Sequence, residues 1–256
     1  MKRLAPPLQV SSRSMAAVLL SRARRSRGFT LLEVMIVLAI VGVITAISVT
    51  SAQQIGARNA TQNAASDLST VLQNARARAE QSGADVYVMV YPTMKRDGSL
   101  TGGSGALVVY EDARGDFLTA TGPCDGSAST ARCGWTNFAP PSNVFPVPNS
   151  GGRFVQIVYL DDYPKKNVRF GKSSASAFTA PFTGVGTLAN ANGCSFCGAT
   201  KGAIVFTGEQ QLRFLNDTGA PVAQRVAGLA VQAVDNPNNT FLWGLVSATG
   251  LVTTVK

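Results

Sequence analysis

The chain has 256 residues and not one histidine. That absence removes Ser-His-Asp triads, Cys-His pairs and imidazole-held metals in a single step. Charge is scarce, at 14% of residues, and it is unevenly placed. Residues 1 to 28 hold no acid, and residues 29 to 49 hold a single charged side chain, Glu33. No proline occurs between Phe29 and Gln81, so nothing there forbids a long helix. No internal repeat is evident.

What is present begins with the apolar run around Glu33. About twenty apolar residues at a helical rise of 1.5 Å cover a hydrocarbon layer about 30 Å thick, so the run is long enough to span a membrane. A lone carboxylate near the end of such a helix costs about 2 kcal/mol or more unless it is paired, which asks for a functional reason. Ahead of the run, Lys2, Arg3, Arg13, Arg22, Arg24, Arg25 and Arg27 form a purely cationic front, which by the positive-inside tendency stays cytoplasmic. Residues 15 to 28 keep four of these arginines, so a start at either Met1 or Met15 fits the leader.

An ordinary secretory signal has its small-residue cut after the apolar stretch. Here Gly28 stands before it, in Arg27-Gly28-Phe29-Thr30-Leu31-Leu32-Glu33. The arrangement resembles a type IV prepilin. The resemblance implies cleavage between Gly28 and Phe29 by a prepilin peptidase, N-methylation of Phe29, and a role for Glu33, fifth in the mature chain, in filament assembly. Physical chemistry supports that role: cleavage exposes an amine at Phe29, and a buried amine and a buried carboxylate each need an opposite charge. Pairing within a helix or between staggered chains would let Glu33 set subunit register. Thr30 is read as helix filler.

Removing such a leader changes the charge argument. Seven of the 23 basic residues precede Phe29, leaving 16 against 14 acids, a balance of about +2. The basic composition therefore gives little support for nucleic acid as a partner.

Beyond the apolar run, Leu68, Val71, Leu72, Ala75 and Ala79 recur at three- and four-residue spacing, with Asp67, Thr70, Asn74 and Arg78 on the other side. The pattern predicts a half-buried amphipathic helix ending at Gly83. The expected organisation is a leader over 1–28, a membrane or filament-core helix over 29–52, an amphipathic half over 53–83 and a β-rich head over 84–256. Predicted strands are Val86 to Tyr91, Ala106 to Glu111, Phe154 to Leu160, Ala203 to Thr207, Gln211 to Leu215, Val226 to Val234, Thr240 to Val246 and Leu251 to Val255. Hairpin turns are expected at Thr207 to Gln210 and Ser247 to Gly250. The fold class is α+β: a long N-terminal helix packed on one antiparallel head. Long Gly/Ser/Pro loops interrupt it, at 97–105, 121–134, 139–152 and 173–200.

Cys124, Cys133, Cys194 and Cys197 fall in these loops. An even count in a head on the non-cytoplasmic side favours disulfides, and four cysteines allow three pairings. Local pairing, Cys124 with Cys133 and Cys194 with Cys197, closes the shortest loops; the other two pairings tie the loops together. Cys194-Ser195-Phe196-Cys197 also has the spacing of redox motifs, but it sits in a Gly/Asn/Thr loop rather than at a helix start. Zinc would normally need a second close pair, and Cys124 and Cys133 are too far apart in sequence. No cofactor or metal is expected. The adjacent carboxylates Glu111-Asp112 and Asp161-Asp162 read as solvated strand ends. Lys165, Lys166, Arg169 and Lys172 form the head's basic cluster, a solvated loop face with phosphate or DNA contact as the sharper alternative.

The head narrows the resemblance. Gly202-Ala203-Ile204-Val205-Phe206-Thr207-Gly208 and Ser247-Ala248-Thr249-Gly250-Leu251-Val252 look like the FimT/GspH group of minor pilins and pseudopilins. Some members of that group bind DNA through a Gly-Arg-x-Arg ending, but here Gly250 precedes Leu251, Val252 and Thr253. The resemblance implies a minor pilin acting at a filament tip or in assembly priming. Its partners would be other pilins, the prepilin peptidase and an inner-membrane assembly platform, with a cytoplasmic N-terminus and a periplasmic, later cell-surface, head. The other readings are a type II secretion pseudopilin, a DNA-uptake pilin and, resting on Cys194 and Cys197 alone, a periplasmic thiol oxidoreductase.

Overall fold

A computed structural model describes residues 29–122, 133–138, 152–164, 167–171, 192–249 and 251–254, with 178, 180, 182, 185 and 188; the side chains of 49–55, 57 and 251 are outside that description. The chain divides into two units, Met1–Ile47 and Ser48–Lys256. One helix, α1 (Leu31–Ser82), contributes to both.

In the first unit α1 is apolar and bare. The window Leu31–Ser48 is long and apolar enough to cross a membrane, and none of it is buried. Its one described hydroxyl beyond the first turn, on Thr45, donates to the carbonyls of Val41 and Gly42, both at 2.9 Å. A hydroxyl satisfied within its own helix suits a hydrocarbon surrounding.

In the second unit α1 buries Ala60, Ala64, Ala65, Leu68, Val71, Leu72, Ala75 and Ala79. The many alanines let the helix approach its neighbours closely, while Leu68 and Leu72 are its largest fully buried side chains, worth about 1.5–3 kcal/mol each. Gly83 ends the helix: its φ of +67° is left-handed, and its N–H donates to Ala79 O at 2.9 Å.

Nine strands follow: β1 (Asp85–Tyr91), β2 (Ala106–Asp112), β3 (Arg153–Tyr159), β4 (Val168–Phe170), β5 (Gly202–Phe206), β6 (Leu212–Leu215), β7 (Val226–Ala233), β8 (Thr240–Val246) and β9 (Leu251–Thr254). They form two antiparallel sheets, ordered β3-β2-β1-β5-β6 and β4-β7-β8-β9. The class is α+β as expected, and the antiparallel head is built from two sheets. The strand absent from the sequence reading is β4, whose three residues are too few to show alternation. Pairing of Val168 with Ala233 and Phe170 with Val231 holds it in place.

Alternate residues explain the core. Val86, Val88 and Val90 of β1, Ile204 and Phe206 of β5, Leu229 and Val231 of β7, and Trp243 and Leu245 of β8 share one cluster with the buried face of α1. The opposite face of the first sheet is buried too. Tyr87, Met89, Tyr91 and Tyr110 there meet Phe117, Trp135 and Phe138 from the loop after β2, with Tyr110 and Phe117 stacked at 4.4 Å. On the second sheet, Phe178, Phe182, Val185 and Leu188 pack on Ala230 and Leu242. Both outer faces are thus covered by insertions. This is why β1 and β2 read as nearly continuous apolar runs rather than alternating ones.

The Thr207 to Gln210 turn closes the β5–β6 hairpin, with Gln210 N–H donating to Thr207 O at 3.0 Å and Gln210 itself at φ +64°. Val246 pairs with Leu251 across the β8–β9 turn.

Candidate functional site

The features that carry chemistry lie at the start of α1. Phe29 and Thr30 precede the helix, and Phe29 is 78% exposed. Thr30 is the N-cap rather than helix filler. Its Oγ1 accepts the Glu33 N–H at 3.2 Å, and its carbonyl accepts the N–H groups of Glu33 at 3.0 Å and Val34 at 3.2 Å. Thr30-Leu31-Leu32-Glu33 has the spacing of a capping box, a signal the sequence carries within the apolar run. The reciprocal half of the box is not made: among the described residues the Glu33 carboxylate accepts no hydrogen bond. It stands in the first turn, where the helix dipole favours negative charge. Downstream, the next basic side chain in the sequence is Arg58. Gly28 lies outside the described residues.

Cys194 and Cys197 form a disulfide, with Cα atoms 5.5 Å apart. Their tetrapeptide is better ordered than a plain loop. Cys194 bridges to Leu229 of β7, Ser195 N–H donates to Gly228 O at 2.9 Å, and Phe196 is buried on Phe214 of β6 with ring centroids 5.4 Å apart. The bond therefore fixes the turn by which the chain leaves one sheet for the other. Cys133 is disulfide-bonded as well, and no described cysteine is free; Cys124 lies outside the described residues.

The loop carrying Cys133 is held by a residue the sequence did not single out. Lys201, 7% exposed, donates to the carbonyls of Trp135 at 2.5 Å and Phe138 at 3.2 Å, and its Nζ lies 4.6 Å from the Trp135 ring centroid. Burial pulls its ammonium down to about 8, against an upward pull from Asp217. A lysine flanking a strand gives no sign of this in sequence, because the partners are two distant carbonyls.

The remaining candidates separate. Arg169 is exposed on β4 and lines an open cleft of about 480 Å³ with Lys95, Arg96, Asp97 and Asp161; Lys165, Lys166 and Lys172 lie outside the described residues. Of the adjacent carboxylates, Glu111 and Asp112 are buried rather than solvated, whereas just after β3 Asp161 is half-buried and Asp162 exposed. Glu111 is buried against Arg78 at 2.6 Å, and Asp112 accepts the N–H groups of Arg114, Gly115 and Phe117. Asp162 pairs with Arg96, and Asp161 accepts the Ser104 N–H at 3.3 Å. Asp112 and Asp161 thus hold loops while Glu111 pairs with the helix, so neighbours in sequence share no site. No group of three or more metal-ligating side chains occurs among the described residues.

Comparison with protein families bears on the first of these features.

Residues 23–49 match the prokaryotic N-terminal methylation motif.

The match contains Gly28, Phe29, Thr30 and Glu33, and it makes the N-terminus type IV pilin-like. The methylation motif covers 27 of the 256 residues, so it describes the start of α1 and not the head. No curated protein and no solved structure matches the chain. The motif and the apolar helix together are consistent with membrane anchoring.

Proposed function

We propose that this chain is a minor pilin: a structural subunit made as a precursor, cleaved between Gly28 and Phe29, N-methylated on Phe29 and assembled with other pilins. The observation that carries the reading is the methylation motif lying on an apolar helix whose first turn presents a carboxylate that, among the described residues, has no hydrogen-bond partner. Leader removal takes away Arg27, leaving the new amine as the near cation for that carboxylate. In hydrocarbon neither group is tolerated alone, so pairing between chains would favour one stagger over others.

A tip or priming role fits the head better than that of a major subunit. Its sheets are covered on their outer faces by long insertions, which would burden a surface repeated at every lateral contact. The disulfides and the cationic leader support a cytoplasmic N-terminus with the head on the oxidising side. The head's likeness to the FimT/GspH group belongs to this proposal. A mature balance near +2 supports protein partners rather than nucleic acid.

Glu33→Val tests the reading. It should enter the membrane at least as well as wild type and be lost from sheared surface filaments. Equal recovery of both chains in filaments would contradict the proposal. Recovery of wild type in a secretion complex, and not in surface filaments, would move the chain to the pseudopilins.

A further inference from the structure

We propose that Thr30 is a positioning residue for leader removal: by capping α1 it starts the helix after Phe29 and keeps the residue that donates the leaving nitrogen out of helical hydrogen bonding. The inference rests on cleavage at Gly28–Phe29.

Three contacts fix the helix start at one place. Glu33 N–H is shared between the carbonyl and the hydroxyl of Thr30, and Val34 N–H goes to the same carbonyl. Phe29 consequently stands before the first helical residue, Leu31, with most of its surface exposed. The sequence upstream would not supply this stop unaided. Met15, Ala16, Ala17, Leu19, Leu20, Arg22, Ala23, Arg24 and Arg25 are good helix formers, and only Gly28 among the residues just ahead of Phe29 opposes a helix running through the junction.

Hydrolysis shows why such a helix would interfere. Water adds to the Gly28 carbonyl carbon, the carbon–nitrogen bond breaks, and the nitrogen of Phe29 takes up a proton; the products are a Gly28 carboxylate and a Phe29 ammonium. In a helix continued through the junction, the Phe29 N–H would be given to the carbonyl four residues earlier, and a peptidase would first have to unwind that turn. The Thr30 cap removes the need. The Glu33 carboxylate does not make the reciprocal bond to the Thr30 N–H, and among the described residues it accepts no other, so it is available to the amine that cleavage creates.

The test uses the full chain in membranes containing its peptidase, with Thr30→Ser, Thr30→Asn and Thr30→Val. Serine and asparagine are good N-caps, whereas valine keeps the threonine shape and lacks the acceptor. Cleavage is followed by pulse-chase, and the N-terminal peptide is identified by mass. Ser and Asn should be cut within about twofold of wild type, and Val about fivefold more slowly, with equal membrane insertion. Val cut at the wild-type rate overturns the inference. So does Asn cut as slowly as Val, because the peptidase would then be reading the hydroxyl and not the cap. A wild-type chain that retains residues 1–28 fails the underlying reading instead, whatever the variants do.

Discussion

The indole N–H of Trp243, on β8, donates to the hydroxyl of Ser69, on α1, at 2.9 Å. Trp243 is 1% exposed, so the bond ties the second sheet to the helix from inside the shared core. Tyr163 makes a second tie, its hydroxyl donating to Asp67 at 2.5 Å, and Arg78 with Glu111 makes a third. Apolar packing fixes how closely the helix lies on the sheets, while these directional contacts fix its rotation.

Ser69→Ala should therefore destabilise the head by about 1–3 kcal/mol, because it strands a buried indole N–H. Trp243→Phe should cost a similar amount with the donor removed, and the double change should cost less than the two singly. Urea unfolding of the full chain in detergent measures all three. Additive losses would show that the two groups do not act together.

Arg78→Ala should cost about 3 kcal/mol or somewhat less, since Glu111 is left in a nearly closed surrounding while Arg78 itself is partly solvated. Replacing both, Arg78→Met with Glu111→Leu, should recover much of the loss. A double variant as weak as Arg78→Ala would mean that packing, not the stranded carboxylate, sets the penalty.

Much of this fold was legible in the sequence, and the failures share a cause. The eight longer strands and the buried face of α1 follow from period-2 and period-3.6 apolar patterns, which report local geometry directly. The division into two sheets, the short strand around Arg169 and the duties of Glu111 and Asp112 depend on which segments meet, and no local pattern records that. Glu111 next to Asp112 reads as a charged strand end until Arg78, 33 residues earlier, is seen beside it. At the N-terminus the position was reversed. The motif is plain, but the Thr30 cap within it is not, because a threonine in an apolar run reads as filler.

Lys201 sets a pH dependence of unusual sign. Its folded pKa, about 8, lies below the ordinary 10.5 of an unfolded lysine. Between those values the unfolded chain holds a proton that the native chain has released, so stability contributed by this group rises with pH. Above about 10 the buried tyrosines oppose the trend, because burial raises Tyr87 and Tyr91 and favours their neutral forms. From pH 7.5 to 10, wild type should gain on the order of 2 kcal/mol relative to Lys201→Met. Parallel stability curves for the two proteins would reject the assignment.

The Cys194–Cys197 bond closes a very short loop, so its entropic contribution is modest, about 2 kcal/mol. Replacing both cysteines by serine should lower stability by that order, and the loss should appear first as faster amide exchange at Ser195 and Gly228, which the turn holds together. Non-reducing peptide mapping should join Cys133 to Cys124. A cross-link from either of these to Cys194 or Cys197 would contradict local pairing.

The central claim is that the leader is removed ahead of an apolar helix that stays with the protein. Mass spectrometry of the N-terminal peptide, from protein extracted from membranes and from filaments, tests it most directly. The account predicts a peptide beginning at N-methylated Phe29 and continuing through Glu33. A chain beginning upstream of Gly28 in assembled protein, or one beginning after the apolar run, would contradict it.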